Sequence, residues 1–209
     1  MSNPNRNPVS IYKRITKDFW QPIYTFDKGT INHIHNLIPD KFRNCVWIFT
    51  GDFAESAAIW KATNNFKTVT KIFSNHQKYR GCVGFPIKEG LLYATDSPFE
   101  QNKIYLLDNT YTLKNICEIN GSCIYGCQVE EDFIFSTTVE PDGRNINLWK
   151  FLFSTKRGVG IKDDNVYLYK GNLKDNFSII YKEKKDFLPY CSFQFGVFKF
   201  PYGVNNTDK

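Results

Sequence analysis

A four-part pattern repeats along this chain and constrains it more than any single motif. An aliphatic–aromatic strand, a polar turn and a second alternating strand occur at Ile11-Tyr12-Lys13 before KDFWQPIY, Ile59-Trp60-Lys61 before NNFKTVTKIF, Ile104-Tyr105-Leu106 before NTYTLKNICEI, and Val166-Tyr167-Leu168 before KDNFSIIYKE. Upstream of the later copies lies a short strand ending in small polar residues and an acid: CVWIFTGD (45–52), LLYATDSP (91–98) and FIFSTTVEPD (133–142). Before these stand INHIHNLIPD (31–40), RGCVGFPIKEG (80–90) and SCIYGCQVEED (122–132), and SFQFGVFKFP (192–201) closes the series. With the four strand types named A to D, the chain reads C-D, then A-B-C-D three times, then A. Short strands separated by Gly, Pro, Asn or Asp turns are the signal of antiparallel hairpin meanders.

Four-stranded meanders recurring at roughly 40–50 residues mark a β-propeller, because one blade cannot bury both of its faces alone. The expected fold is all-β, a propeller-like array of four-stranded antiparallel blades, about three complete with partial terminal blades. The boundaries read as a tail over 1–8, one domain over 9–203 and a tail over 204–209. Within the domain, 9–26 holds strands C-D, 27–74, 75–119 and 120–186 are blades, and 187–203 carries a further strand A. Propellers close with about four to eight blades. The chain therefore reads as a piece of a larger propeller or as an open arc, with exposed blade edges that invite association.

Composition agrees with strands. Phe, Tyr and Trp make up 17% of the residues, against a single Met, and aromatic side chains favour a pleated, half-buried surface. A hydrophobic fraction of 42% and a charged fraction of 23% exclude wholesale disorder and coiled coil. The net charge of +6 is spread along the chain, and the densest basic stretch, Lys182-Glu183-Lys184-Lys185, contains an acid, so no nucleic acid partner is expected. The six cysteines form no C-x-x-C pair, and Cys123-Ile-Tyr-Gly-Cys127 has no nearby His to complete a zinc set. They read as buried free thiols. No apolar run approaches the roughly 18 residues needed to span a bilayer, so no membrane insertion is expected. The chain as given reads as cytoplasmic, or as secreted or surface-associated if a segment precedes it.

At the first C-D junction, IYKRITKDFWQPI resembles the bacterial-neuraminidase repeat of sialidase-like propellers, in which an aliphatic–aromatic strand leads into an Asp-box turn and a Trp. The pattern S-x-D-x-G-x-x-W is intact in no copy, and only Trp20 stands roughly where the Trp belongs. The resemblance implies that ligands bind on the face built by the loops joining D to A and B to C. The B-to-C loops supply Asp52 and Glu55, Asp96 and Glu100, and Glu140, Asp142 and Arg144; the D-to-A loops supply His76, Lys78, Tyr79 and Arg80, then Asn120 and Ser122, then Asp186 and Tyr190. Arginine suits carboxylate or sulfate, carboxylates accept sugar hydroxyls, and Tyr offers a flat face to a pyranose. Tyr79, Arg80, Asp52, Asp96, Glu140, Arg144 and His76 are thus the candidate ligand-binding residues.

Sialidase chemistry would need an arginine cluster and a Tyr nucleophile. Arg80 and Arg144 are only two convergent arginines, and the N-terminal Arg-Ile-Pro element is missing. An ordinary glycosidase would need two carboxyls, for which Glu55 and Glu140 are the candidates. His33 and His35 alternate with Ile31 and Ile34 and share one strand face, an arrangement suited to a metal or a base, but no third ligand is evident and they read as channel-lining or exposed. Trp47, Trp60, Tyr105, Trp149 and Tyr167 occupy repeated positions and read as inter-blade core. The expectation is a non-catalytic propeller with no cofactor or metal that recognises a carbohydrate or protein ligand. The alternatives are a glycoside hydrolase acting on a cell-surface or capsular glycan, and a protein-interaction scaffold or fragment of a larger propeller.

Overall fold

Alternating apolar and polar residues, broken by Asn- and Asp-rich turns, leave hairpins as the local solution, and the computed structural model is built from them. It describes residues 3–52, 54–142, 154–190 and 197–200. The first strands, β1 (Val9–Arg14) and β2 (Trp20–Phe26), pair as an antiparallel hairpin. Three four-stranded antiparallel sheets follow, each in sequential order. The first comprises β3 (His33–Asp40), β4 (Cys45–Gly51), β5 (Ala58–Thr63) and β6 (Thr68–Phe73). The second comprises β7 (Gly81–Ile87), β8 (Gly90–Thr95), β9 (Lys103–Asp108) and β10 (Leu113–Glu118). The third comprises β11 (Ser122–Val129), β12 (Asp132–Thr138), β13 (Asn165–Asn172) and β14 (Asn176–Lys184). The fold class is all-β, with propeller-type blades. Of the final strand expected at 192–201, only residues 197–200 are described, and they form no regular element.

The chain divides into two compact units, residues 1–81 and 82–209. In the first, Ile11 and Phe26 of the hairpin pack with Ile31, which precedes β3, and with Ile48, Ala58, Trp60 and Ala62 of the adjoining sheet. Fully burying an aliphatic side chain such as Ile48 stabilises by roughly 1.5–3 kcal/mol, so the hairpin and sheet form one core. In the second unit the two sheets enclose Val83, Leu92, Ile104, Phe133, Phe135, Tyr167 and Tyr169. Trp47, Trp60 and Tyr167 of the repeated aromatic series are buried, Tyr105 is half-buried and stacks on Tyr93, and Trp149 lies outside the described residues.

Polar side chains hold the turns. Asp108 Oδ1 accepts the backbone N–H groups of Thr110 and Thr112 at 2.9 and 3.0 Å, and Asn172 Oδ1 accepts those of Lys174 and Asp175 at 2.8 and 3.0 Å. These are the C-to-D turns of the second and third blades, so Asx turns close the hairpins there. At the A-to-B turn of the first blade, the buried Asp40 accepts from Phe42 N, Arg43 N, Arg43 Nε and Trp47 Nε1. Cys45, Cys82, Cys117, Cys123 and Cys127 are free thiols, and burial pushes Cys45, Cys117, Cys123 and Cys127 above the ordinary thiol range. No helix among the described residues is long and apolar enough to cross a membrane.

Candidate functional site

In an antiparallel meander the connections alternate between the two ends of the sheet. The A-to-B and C-to-D turns gather at one end, and the B-to-C loop gathers with the start of strand A at the other. Each blade carries a Thr at or next to the end of strand B and an acid one or two residues after it: Thr50 and Asp52, Thr95 and Asp96, Thr138 and Glu140. Each acid meets a residue near the start of its own blade's strand A. The acid is repeated, but its partner is not.

In the first blade the partners are two imidazoles. A β-bulge in β3 falls between Ile34 and Asn36, at His35, and a bulge re-aims the side chain of its extra residue. His35 Nε2 lies 3.3 Å from Asp52 Oδ1, and His33 Nδ1 lies 3.6 Å from Asp52 Oδ2. The two rings are 4.8 Å apart between centroids. Gly51 makes this packing feasible, because a Cβ there would fall on the His35 ring. From the D-to-A loop, Arg80 Nη2 comes within 3.6 Å of Asp52 Oδ1, and Gln77 Nε2 donates to the Asp52 carbonyl at 3.0 Å. The His35 side chain is 5% exposed, Asp52 27% and His33 39%, so the cluster opens to solvent on the His33 side.

Burial pushes the Asp52 carboxyl up, but hydrogen bonding to His35 and the charges of Arg80 and His33 outweigh it and hold the group below the usual carboxylate range. Burial pushes His33 below the ordinary imidazole value despite the opposing pull of Asp52, with His35 and Arg80 adding to the lowering.

The second and third blades use their acids differently. Asp96 is buried and accepts from the Cys82 thiol at 3.2 Å, and Glu140 is buried and accepts from Ser122 Oγ at 3.2 Å. The second blade's loop is also closed from inside by Asn102. Its Oδ1 accepts from Thr95 Oγ1 and Ser97 N at 2.9 and 2.8 Å, while its Nδ2 donates to the carbonyls of Ser97, Glu100 and Gly160 at 2.6, 3.3 and 3.3 Å.

The sequence-derived candidates therefore take different places. Asp52 and Arg80 come together. His76 caps a 3₁₀ turn (Gln77–Tyr79), its Nδ1 accepting from Lys78 N at 3.1 Å. Tyr79 stacks on Phe73 with centroids 4.9 Å apart, and the Lys78 ammonium sits 5.0 Å from the same ring. Glu55 is exposed in a 3₁₀ turn (Ala54–Ser56) of the first unit, while Asp96 and Glu140 belong to the second. Arg144 lies outside the described residues. Sequence reasoning missed that Asp52 joins His33 and His35; the recurrence of an acid after every strand B, opposite the start of strand A, was the signal that pointed to it.

No family model matches the chain, and no curated protein matches it. Among solved structures it is similar to a protein from Lactobacillus plantarum determined by a structural genomics consortium, with 11% sequence identity and a TM-score of 0.50. The match covers 88% of this chain and 50% of that one, so this chain spans about half its length. At that identity the likeness concerns the fold alone.

Proposed function

We propose that the chain is a non-catalytic, sialidase-like propeller module that recognises a carbohydrate through the B-to-C and D-to-A loops of its first unit. The observation that carries this reading is the meeting of Asp52 and Arg80, one from each loop, beside the half-exposed His33. A carboxylate accepts sugar hydroxyls, while guanidinium and imidazole N–H groups donate to ring, hydroxyl or carboxylate oxygens. The hydrolase alternative would need two carboxyls about 5–10 Å apart with one held protonated, whereas the carboxyl of this cluster is held ionised.

A glycan array tests the reading. Wild-type protein is expected to bind a subset of acidic or neutral glycans, and Asp52→Asn and Arg80→Lys are each expected to lower the signal at least tenfold with the circular dichroism spectrum unchanged. Silence on every glycan, or binding that both variants retain, overturns it. A second reading, association through a blade edge, is favoured by the exposed Tyr12, Ile15, Phe19 and Trp20 of the β1–β2 hairpin. It predicts concentration-dependent self-association that Trp20→Ser abolishes.

A further inference from the structure

We propose that His33, His35 and Asp52 form a binding site for one divalent transition-metal ion of the zinc class. The inference deepens the proposed function by naming a cation at the same residues, but zinc binding can be read without any glycan.

His35 Nδ1 lies 3.1 Å from the carbonyl oxygen of Gly81, the last residue of the first unit. A carbonyl can only accept, so Nδ1 carries the hydrogen, and Nε2 is the nitrogen that meets the Asp52 carboxylate, at 3.3 Å. A positive charge between this nitrogen and the carboxylate joins them, and it is either a proton or a metal ion. A metal ion supplies it, with the Gly81 carbonyl orienting the ligating ring through its other nitrogen, as metal-bound histidines are commonly held.

His33 points to the same ion independently. Its Nδ1 is buried without a hydrogen-bond partner although the ring is half-exposed, and it points toward the same carboxylate at 3.6 Å. A tetrahedral ion with bonds of about 2.0–2.1 Å separates neighbouring ligand atoms by roughly 3.3–3.4 Å. The carboxylate oxygens stand 3.3 and 3.6 Å from the two imidazole nitrogens, and one ligand atom from each residue falls within 4.8 Å of the others. Arg80 approaches one oxygen of a carboxylate that offers about four lone-pair sites, so guanidinium and metal can share Asp52. Three protein ligands leave one position of a tetrahedron open for an oxygen donor.

The test is equilibrium dialysis of the full chain against zinc chloride, with metal analysis and no glycan present. One zinc per chain is expected, with at least a tenfold weaker dissociation constant in His33→Ala and in Asp52→Asn. His33 is half-exposed, so His33→Ala is the variant expected to keep its fold, which circular dichroism checks. Cobalt substitution supplies the second readout: visible bands of a four-coordinate ion in the wild type and their loss in His33→Ala. A wild type that retains no zinc assigns the intervening charge to a proton and overturns the proposal. Retention with equal affinity in both variants places the ion elsewhere, on the cysteines for example, and overturns it as well. If zinc binds as expected while the glycan array stays silent, the metal site stands and the carbohydrate reading falls. Glycan binding without zinc does the opposite, keeping the carbohydrate reading and removing the metal site.

Discussion

The first and second blades carry the same B-to-C loop in their chain order and finish it in opposite ways. In the second, Asn102 is wholly buried and its amide makes five hydrogen bonds to four residues, with the acid Asp96 buried against a thiol. In the first, Thr50 takes over part of that work, donating from Oγ1 to the Ser56 carbonyl at 2.7 Å and accepting from Trp60 Nε1 at 3.1 Å. Asp52 is thereby left at the rim between two imidazoles and a guanidinium. A repeat fold needs each loop closed but not each acid neutralised, so the first blade can place charge where the second places a hydrogen-bonded plug. Placing ionisable groups together at a rim is how a scaffold acquires a site.

The difference is sharpest in what each loop loses when its key residue is cut back. Asn102→Ala strips partners from Thr95, Ser97 and three carbonyls in a buried setting, and each unsatisfied buried polar group costs about 1–3 kcal/mol. A total loss of about 3–4 kcal/mol is expected, read as a lower urea midpoint at unchanged slope. A loss below about 1 kcal/mol would show that water replaces the amide and that the plug is not what closes this loop.

Gly51→Ala is the matching cut in the first blade, with a smaller effect on stability and a larger one on the site. The new Cβ would occupy the place of the His35 imidazole, so the ring must move away from Asp52. Overpacking of this kind costs about 1–3 kcal/mol. Zinc affinity is expected to fall at least tenfold in this variant and to stay unchanged in Asn102→Ala. If both variants bind zinc like the wild type, His35 is not a ligand and the contrast between the two loops loses its functional half.

These features differ in how far the amino-acid order announces them. The strand repeat, the hairpin turns and the acid after each strand B follow from local alternation and turn chemistry, so the three blades could be laid out from the sequence. The pairing of Asp52 with His33 and His35 could not. It depends on a bulge at His35 and on β3–β4 register, in which His33 stands opposite Gly51. A bulge is one unpaired residue with no composition of its own, and a one-residue change of register exchanges the two faces of a strand. The likeness of His76, Tyr79 and Arg80 as neighbouring loop residues was misleading for the same reason. Only tertiary packing shows that the first caps a turn, the second stacks on Phe73 and the third reaches Asp52.

The gentlest probe of the comparison is pH, measured in zinc-free buffer. His33 takes up a proton less readily in the folded chain than in the unfolded one, because its folded value is lowered from an ordinary value of about 6.5. Between the folded and ordinary values the unfolded state binds more protons, so stability rises with pH across that window. Its contribution is complete above the ordinary imidazole value and is lost as the pH falls toward the folded one. Asp52 acts with the same sign in a lower window: its carboxyl is held down in the folded chain, so its contribution is present above the ordinary carboxylate value of about 3.9 and disappears as the pH drops through the folded value. Acidification of the wild type is therefore expected to lower the urea midpoint in two steps. His33→Gln should remove the upper step and leave the lower, with the amide still able to hydrogen-bond at the rim. The second blade has a thiol where the first has imidazoles, so Cys82→Ser should leave the upper step in place. Superimposable pH profiles for wild type and His33→Gln would mean that the imidazole senses neither its burial nor Asp52, and the open rim of the first blade would then be as inert electrostatically as the sealed loop of the second.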